Sequence, residues 1–299
     1  MWFSMNKILV TGGTGMVGKH LKKILPNAKY IGSKDCDLLN WDSVQDLIYN
    51  EAPTHVVHLA AKVGGIQENV EKPAEFFDNN LLMNTHILKA SYKYGVKRFI
   101  GILSTCIYPD VVKKYPMTEK DLFLGPPAQT NFSYGYAKRC LAVQVDAYNK
   151  QYGTKYNYLI PCNLYSELDN FDHGTKMHFM TALLNKIKNA DGVLKLLGTG
   201  KPLRQFMYSG DLARVIKEVI NKDIVESFNV APNYNYSIND MAESALETLD
   251  KDYKIEYSKP ELDGQYRKDV SSEKLRKILP EFKFTSLQKG IRKVYDKIS

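Results

Sequence analysis

Lys7-Ile8-Leu9-Val10-Thr11-Gly12-Gly13-Thr14-Gly15-Met16-Val17-Gly18 decides the fold. Its first five residues make a short, mainly apolar run that reads as a strand. Four glycines follow within seven residues, and Lys19 to Leu25 then read as a helix that stops near Pro26. Strand, glycine loop and helix in this order form the context that a dinucleotide-binding loop requires. The spacing is G-x-x-G-x-x-G, at Gly12, Gly15 and Gly18. The physics matches that of the commoner G-x-G-x-x-G: glycines let the backbone turn sharply and approach a pyrophosphate, which rests on the positive end of the helix. Gly12, Gly13, Thr14, Gly15, Met16, Val17 and Gly18 are the candidate phosphate-binding residues.

Ala28 to Gly32 fit a second strand. Folds of this kind that bind NAD usually carry an acid after that strand, on the ribose hydroxyls. Ser33-Lys34 stand there instead. A hydroxyl and a cation suit a 2′-phosphate better than a carboxylate does, which favours NADP(H); Asp35 and Asp37 close by keep NAD in view. Asp37-Leu38 is better placed for the adenine edge, with a buried turn aspartate as the competing reading. His55 to Leu59 read as a third strand, feeding Ala60-Ala61-Lys62-Val63-Gly64-Gly65-Ile66, whose small residues let the backbone pass close to a cofactor. His58 within it reads as a packed core histidine. Pro73 to Tyr94 read as a helix with Phe76, Leu81, Ile87, Leu88 and Ala90 on a buried face. Arg98 to Leu103 and Tyr156 to Ile160 read as the fourth and fifth strands.

This alternation predicts an α/β fold: a Rossmann-type doubly wound parallel sheet over residues 1–165, and a smaller C-terminal substrate-binding region over 166–299 from which segments can return to the sheet. In the second region Glu167 to Lys176 read as a polar loop. His178 to Lys188 and Ile238 to Leu249 read as helices, with another from Asp211. Val193-Leu197, Phe228-Val230 and Tyr253-Tyr257 read as strands.

Ser133-Tyr134-Gly135-Tyr136-Ala137-Lys138 opens a further helix, with Asn131 or Ser133 as its expected cap and Gly153 as its stop. Tyr134 and Lys138, four apart, leave the same face. A fixed ammonium beside a phenol is expected to lower the phenol pKa from about 10 and make it a tunable acid or base. Such pairs are common on surface helices. This one gains weight from the glycine loop and from Ser104 at the end of the fourth strand.

Composition narrows the function classes. The net charge of +8 admits nucleic acid or small polyanions as partners. Lysine and arginine are spread along the chain with no basic stripe, which favours a small anionic ligand. No apolar run approaches the roughly 20 residues of a membrane span, and the N-terminus lacks the layout of a secretory signal. Cys36, Cys106, Cys140 and Cys162 show no metal-type spacing and read as reduced thiols, so a cytoplasmic location is expected.

With these pieces in place, the chain resembles extended short-chain dehydrogenase/reductases acting on nucleotide sugars. Ala60 to Ile66, Leu103 to Pro109, Asp169-Asn170-Phe171, His178, Gly198 to Phe206 and Asp263 to Lys268 narrow the resemblance to the GDP-L-fucose synthase family, nearly end to end. The resemblance implies a homodimer that epimerises GDP-4-keto-6-deoxymannose at carbons 3 and 5 and reduces carbon 4 with NADPH. By position it implies Ser104, Tyr134 and Lys138 as the reductase residues, and Cys106 and His178 as the epimerisation acid and base. It implies further cofactor contacts from Leu59, Ala60, Ala61, Val63, Asn80, Leu103, Pro161, Asn163, Leu164 and His178. Substrate contacts are implied for Ser104, Thr105, Cys106, Asn163, Lys186, Leu197, Arg204, Asp263 and Lys268, Arg204 offering a fork of donors to diphosphate.

Taken in isolation, Cys106 reads as a small buried hydrophobe, His178 as a surface or core histidine, and Lys186 and Arg204 as solvated. His173, off the matched position, reads as solvent-exposed. The family continues its fifth strand as Pro-Thr-Asn-x-x-Gly-Pro-His-Asp-Asn, whereas Pro161 to Asn170 lack the Gly-Pro-His block. Leu197 stands where the family tends to carry Trp, and Lys186 replaces an arginine. These departures predict an altered sugar pocket beside an intact cofactor site. Three functions follow: the epimerase-reductase; a 4-reductase of a GDP-4-keto-heptose without epimerisation; and a catalytically silent NADP-binding sensor or scaffold.

Overall fold

The computed structural model describes residues 6–169, 178–260, 263 and 265–298. Asn170, Phe171, His173 and the rest of the expected polar loop through Lys176 lie outside the described residues, as does Gly264.

Five parallel strands form first: β1 (Ile8–Thr11), β2 (Lys29–Ile31), β3 (His55–His58), β4 (Arg98–Ile102) and β5 (Asn157–Pro161). Short strands β6 (Asn163–Tyr165), β7 (Val193–Leu197), β8 (Leu203–Arg204) and β9 (Phe206–Tyr208) follow. Then come β10 (Phe228–Val230), β11 (Tyr236–Ser237), β12 (Lys254–Ser258) and β13 (Arg267–Lys268). The main sheet runs β10-β5-β4-β3-β1-β2, all parallel. Every residue of β3, β4, β5 and β10 is buried. That explains their non-alternating sequences, because a parallel sheet is covered on both faces. The expected core histidine is there: His58 bonds Thr11 Oγ1 at 2.7 Å and Asn84 Oδ1 at 3.0 Å, and burial pushes its pKa down to about 3.

The helices are α1 (Met16–Ile24), α2 (Trp41–Glu51), α3 (Ile66–Glu71), α4 (Pro73–Lys93) and α5 (Phe132–Tyr152). They continue as α6 (Phe179–Asn189), α7 (Ser209–Asn221), α8 (Ile238–Thr248), α9 (Glu273–Ile278) and α10 (Leu287–Ile298). Helix α1 packs on α7, while α2, α4 and α5 pack side by side. α4 buries Phe76, Asn80, Asn84, Ile87, Leu88 and Ser91, a helical stripe that includes two asparagines.

The core divides in two. The larger part takes the main sheet but also Leu212, Val215, Ile216, Val219 and Ile224, Val230, Val270 and Leu275, so β10, α7 and α9 return to the first region. The smaller part joins Met180, Leu183 and Ile187 of α6 to Met241 and Ala245 of α8 and Ile291 and Val294 of α10. Strand β1 lies between β2 and β3, so consecutive connections leave it in opposite directions. The crevice at the carboxyl ends of β1 and β3 is the place where an open α/β sheet receives a ligand.

Candidate active site

At that crevice the glycine loop is required by packing. Gly12 has φ +68°, and a Cβ on it would lie 2.7 Å from Ala60 N. A Cβ on Gly18 would lie 2.5 Å from Gly13 O. Gly15 is the N-cap of α1, which has no side-chain cap and no acid in its first turn. Its orphan N–H groups are thus free for an anion. An extended dinucleotide fits this cradle. Gly12→Ala is expected to cost about 1–3 kcal/mol, the scale of a left-handed non-glycine residue; urea denaturation checks it, and an unchanged midpoint would contradict the packing described.

The residues after β2 divide by role. Ser33 and Lys34 are exposed, and no hydrogen bond ties down either side chain among the described residues. Asp35 accepts from Gly32 N at 2.7 Å and Asp37 from Leu39 N at 3.0 Å, so both nearby acids brace turns. Asp37 is exposed, which corrects the buried-aspartate reading, while Leu38 is buried. Leu59, Ala60 and Ala61 line the end of β3, and Val63 is exposed. Asn80 is buried with its amide fully engaged: it accepts from Lys62 N and donates to Lys62 O, both at 3.0 Å, and to Phe76 O at 2.7 Å. It therefore shapes the loop after β3.

The chemistry-bearing side chains gather at the ends of β4, β8 and β13. Ser104 lies two residues past β4, and its Oγ accepts from Cys106 N at 3.3 Å. Leu103 and Thr105 beside it are buried. Arg139, which the motif reading passed over, fixes the following turn: Nε donates to Ile107 O and Nη1 to Gly125 O, each at 2.9 Å. Lys268 Nζ donates to Cys106 Sγ at 3.0 Å. Burial pushes the Cys106 thiol up, but the Lys268 ammonium, the Ser104 hydroxyl and the Arg204 guanidinium outweigh it and leave the pKa lowered. Cys106 is thus an activated thiol, unlike Cys36, Cys140 and Cys162, whose pKa values burial raises.

Helix α5 begins at Phe132, and neither expected cap closes it with a side chain. The Tyr134 phenol is pushed well above its usual value, first by burial and then by the neighbouring Cys106 sulfur. The expected lowering by Lys138 does not occur. Lys138 Nζ instead donates to Ile102 O at 2.9 Å, and burial brings its own pKa down to about 8. Desolvation dominates in both groups, and neither is a cause of the other's shift, so Tyr134 stays a protonated phenol at neutral pH.

His178 is the N-cap of α6. Its Nδ1 lies 2.9 Å from Asp169 Oδ2, and that carboxylate also accepts from Thr181 Oγ1 at 2.6 Å. The Asp169 hydrogen bond raises the His178 pKa, outweighing burial. Asp169 is the partner that sequence left unassigned; no spacing rule links a loop acid to a cap nine residues on.

The remaining candidates scatter. Pro161 is buried, Leu164 is half-buried, and Asn163 donates to Gln205 O at 2.9 Å. Arg204 donates to Leu203 O at 2.8 Å and faces Cys106 and Asp263. Asp263 accepts from Thr199 N and Oγ1, both at 2.6 Å, and so closes the Gly198–Gly200 turn. Lys186 is exposed and donates to Lys195 O at 3.1 Å; no contact joins it to the Cys106 cluster among the described residues. Leu197 is 53% exposed at the end of β7.

The NAD dependent epimerase/dehydratase family matches residues 8–231. The chain is 37% identical to a probable GDP-L-fucose synthase of Drosophila melanogaster, covering 96% of this chain and 95% of that one. A GDP-L-fucose synthetase from Naegleria fowleri, solved bound to NADP, superposes with a TM-score of 0.88 at 33% identity, over 98% of this chain and 92% of that one. A GDP-mannoheptose C4 reductase from Campylobacter jejuni, solved with NADP, gives a TM-score of 0.86 at 25% identity, over 98% of each.

Proposed function

The chain belongs to the GDP-L-fucose synthase branch of the NAD dependent epimerase/dehydratase family, and on that premise we propose that it epimerises a GDP-4-keto-6-deoxyhexose at carbons 3 and 5 and reduces carbon 4. It is an NADP(H)-dependent nucleotide-sugar oxidoreductase. The epimerisation reading is supported by two groups prepared in opposite senses, each by its own partner: Cys106 with Lys268 3.0 Å from its sulfur, and His178 held 2.9 Å from Asp169. The first favours a thiolate, the second an imidazolium.

In this reading Gly12 to Gly18 and the opening of α1 hold the pyrophosphate, and Ser33 and Lys34 receive the 2′-phosphate. NADPH supplies the hydride for carbon 4. The ketone acidifies the protons on carbons 3 and 5; Cys106 removes them and His178 returns protons from the other side. Ser104 and Tyr134 donate hydrogen bonds to the carbon-4 oxygen, where negative charge develops. Tyr134 then gives that oxygen its proton. Arg204 and Lys268 attract the substrate diphosphate.

Incubation with substrate in deuterated water tests the pair. Deuterium is expected at carbons 3 and 5 of the product; reduction without exchange would sink the epimerase half and leave the heptose 4-reductase. That second reading draws support from exposed Leu197, which stands where the family tends to carry Trp. The silent-sensor reading is disfavoured by the intact Ser104, Tyr134 and Lys138. Removing Lys34 tests the cofactor preference: Lys34→Ala is expected to weaken NADPH about tenfold and leave NADH unchanged, by fluorescence titration.

A homodimer in the cytoplasm completes the proposal. Leu82, Tyr92, Val143 and Tyr152 are exposed on α4 and α5, an apolar face suited to a second copy. No helix among the described residues is long and apolar enough to cross a membrane.

A further inference from the structure

A second cleft, of about 500 Å³, lies between α1, the start of α7 and the segment from Lys283 into α10. None of the residues assigned above to cofactor or sugar lines it. Five of its lining side chains are cations, Lys23, Arg214, Lys283, Lys289 and Lys293, against two acids, Glu167 and Asp211.

Both acids are already engaged. Buried Asp211 accepts from Arg214 Nη2 at 2.7 Å, from Thr285 N at 2.6 Å and from Thr285 Oγ1 at 2.7 Å. Glu167 accepts from Tyr208 Oη at 2.8 Å and lies 3.8 Å from His20 Nε2. Arg214 is taken up by Asp211, and its guanidinium stacks over Phe282 at 4.6 Å. Lys293 sits over the Tyr208 ring at 4.9 Å. Lys23, Lys283 and Lys289 have no carboxylate partner among the described residues. Those three lysines leave the cleft with a net positive field, which repels other cations and concentrates anions.

We infer that this cleft binds a diphosphate group, free or carried by a nucleoside. Cations exceed acids by three. One phosphate group carries about −1.5 to −2 at pH 7, so a diphosphate matches that excess better than a monophosphate or a carboxylate does. Lysine ammoniums serve phosphate as point charges without demanding a fixed approach. The volume falls within the roughly 300–1,000 Å³ of small-molecule sites, leaving room for a nucleoside beside the charged groups.

Isothermal titration of pyrophosphate into the NADPH-saturated full chain tests this, comparing wild type with Lys283→Ala/Lys289→Ala. Both lysines are exposed, and Lys289→Arg serves as the charge-retaining control. The double variant is expected to lose one pyrophosphate site per chain or bind there at least about tenfold more weakly, with NADPH affinity unchanged and Lys289→Arg behaving as wild type. Pyrophosphate binding at the substrate's own diphosphate site is common to all three proteins and cancels. Repeating the comparison with GDP separates the sources: loss of a GDP site in the double variant assigns a nucleoside-borne group, and loss of a pyrophosphate site alone assigns the free anion. Superimposable isotherms for wild type and double variant overturn the assignment.

Discussion

Replacing Tyr134 by Phe is expected to lower the rate of carbon-4 reduction by about 10³-fold, within the range of a lost general acid. NADPH affinity should change by less than about twofold, because only a hydroxyl is removed and the ring stays to pack. Reduction leaves a full negative charge on the carbon-4 oxygen unless a proton arrives with the hydride. The Tyr134 phenol is protonated at neutral pH, since burial and the Cys106 sulfur both oppose phenolate. A protonated phenol can give its proton without first acquiring one. Lys138 adds a pH signature. Its pKa is brought down to about 8, so the ammonium is present below that value and lost above it. If the ammonium grips the ribose, NADPH affinity should fall as pH rises from 7 to 9. Single-turnover NADPH absorbance and fluorescence titration measure the two effects separately. Undiminished reduction by the Phe variant would remove Tyr134 from the role given to it.

The parts that were legible from sequence are those set by contiguous residues. Ile8 to Thr11 read as a strand because an apolar run of that length fits a sheet covered on both faces. The glycine loop was legible because its demand is local: Gly12 must adopt φ +68°. The pairing of Tyr134 with Lys138 on one face was also legible, but its electrostatics were not. Lys138 is bound by Ile102 O, 36 residues earlier in the chain. No helical spacing announces that carbonyl. The two-residue strands β8 and β13 have no period to read, yet they carry Arg204 and Lys268 to the site. Helix α10 did leave a signal, Leu287, Ile291 and Val294 at helical intervals, all buried. Its abundant charge masked that stripe. Asp169 and Lys268 were legible as residues of interest; their partners were not, Lys268 meeting Cys106 across 162 positions.

That long-range contact underlies the second large effect. Cys106→Ala is expected to abolish deuterium exchange at carbons 3 and 5, a loss of about 10²–10⁴-fold for a deleted base. The Lys268→Met variant gives the more telling result. With the ammonium gone, burial is no longer outweighed by that partner, and the thiol pKa must rise. Exchange needs the thiolate, so its rate climbs with pH through the thiol pKa. Raising that pKa moves the climb to higher pH: exchange at pH 7 falls, and the rise with pH is displaced upward. Cys106→Ala should show no such rise at any pH, since it has no group left to ionise. A loss of substrate affinity alone, from removing a cation near the diphosphate, would raise KM at every pH and leave the position of the climb unchanged. Exchange rates at saturating substrate across pH 6 to 9 distinguish the two. An unshifted profile in Lys268→Met would mean that the ammonium serves the diphosphate and leaves the thiol untouched.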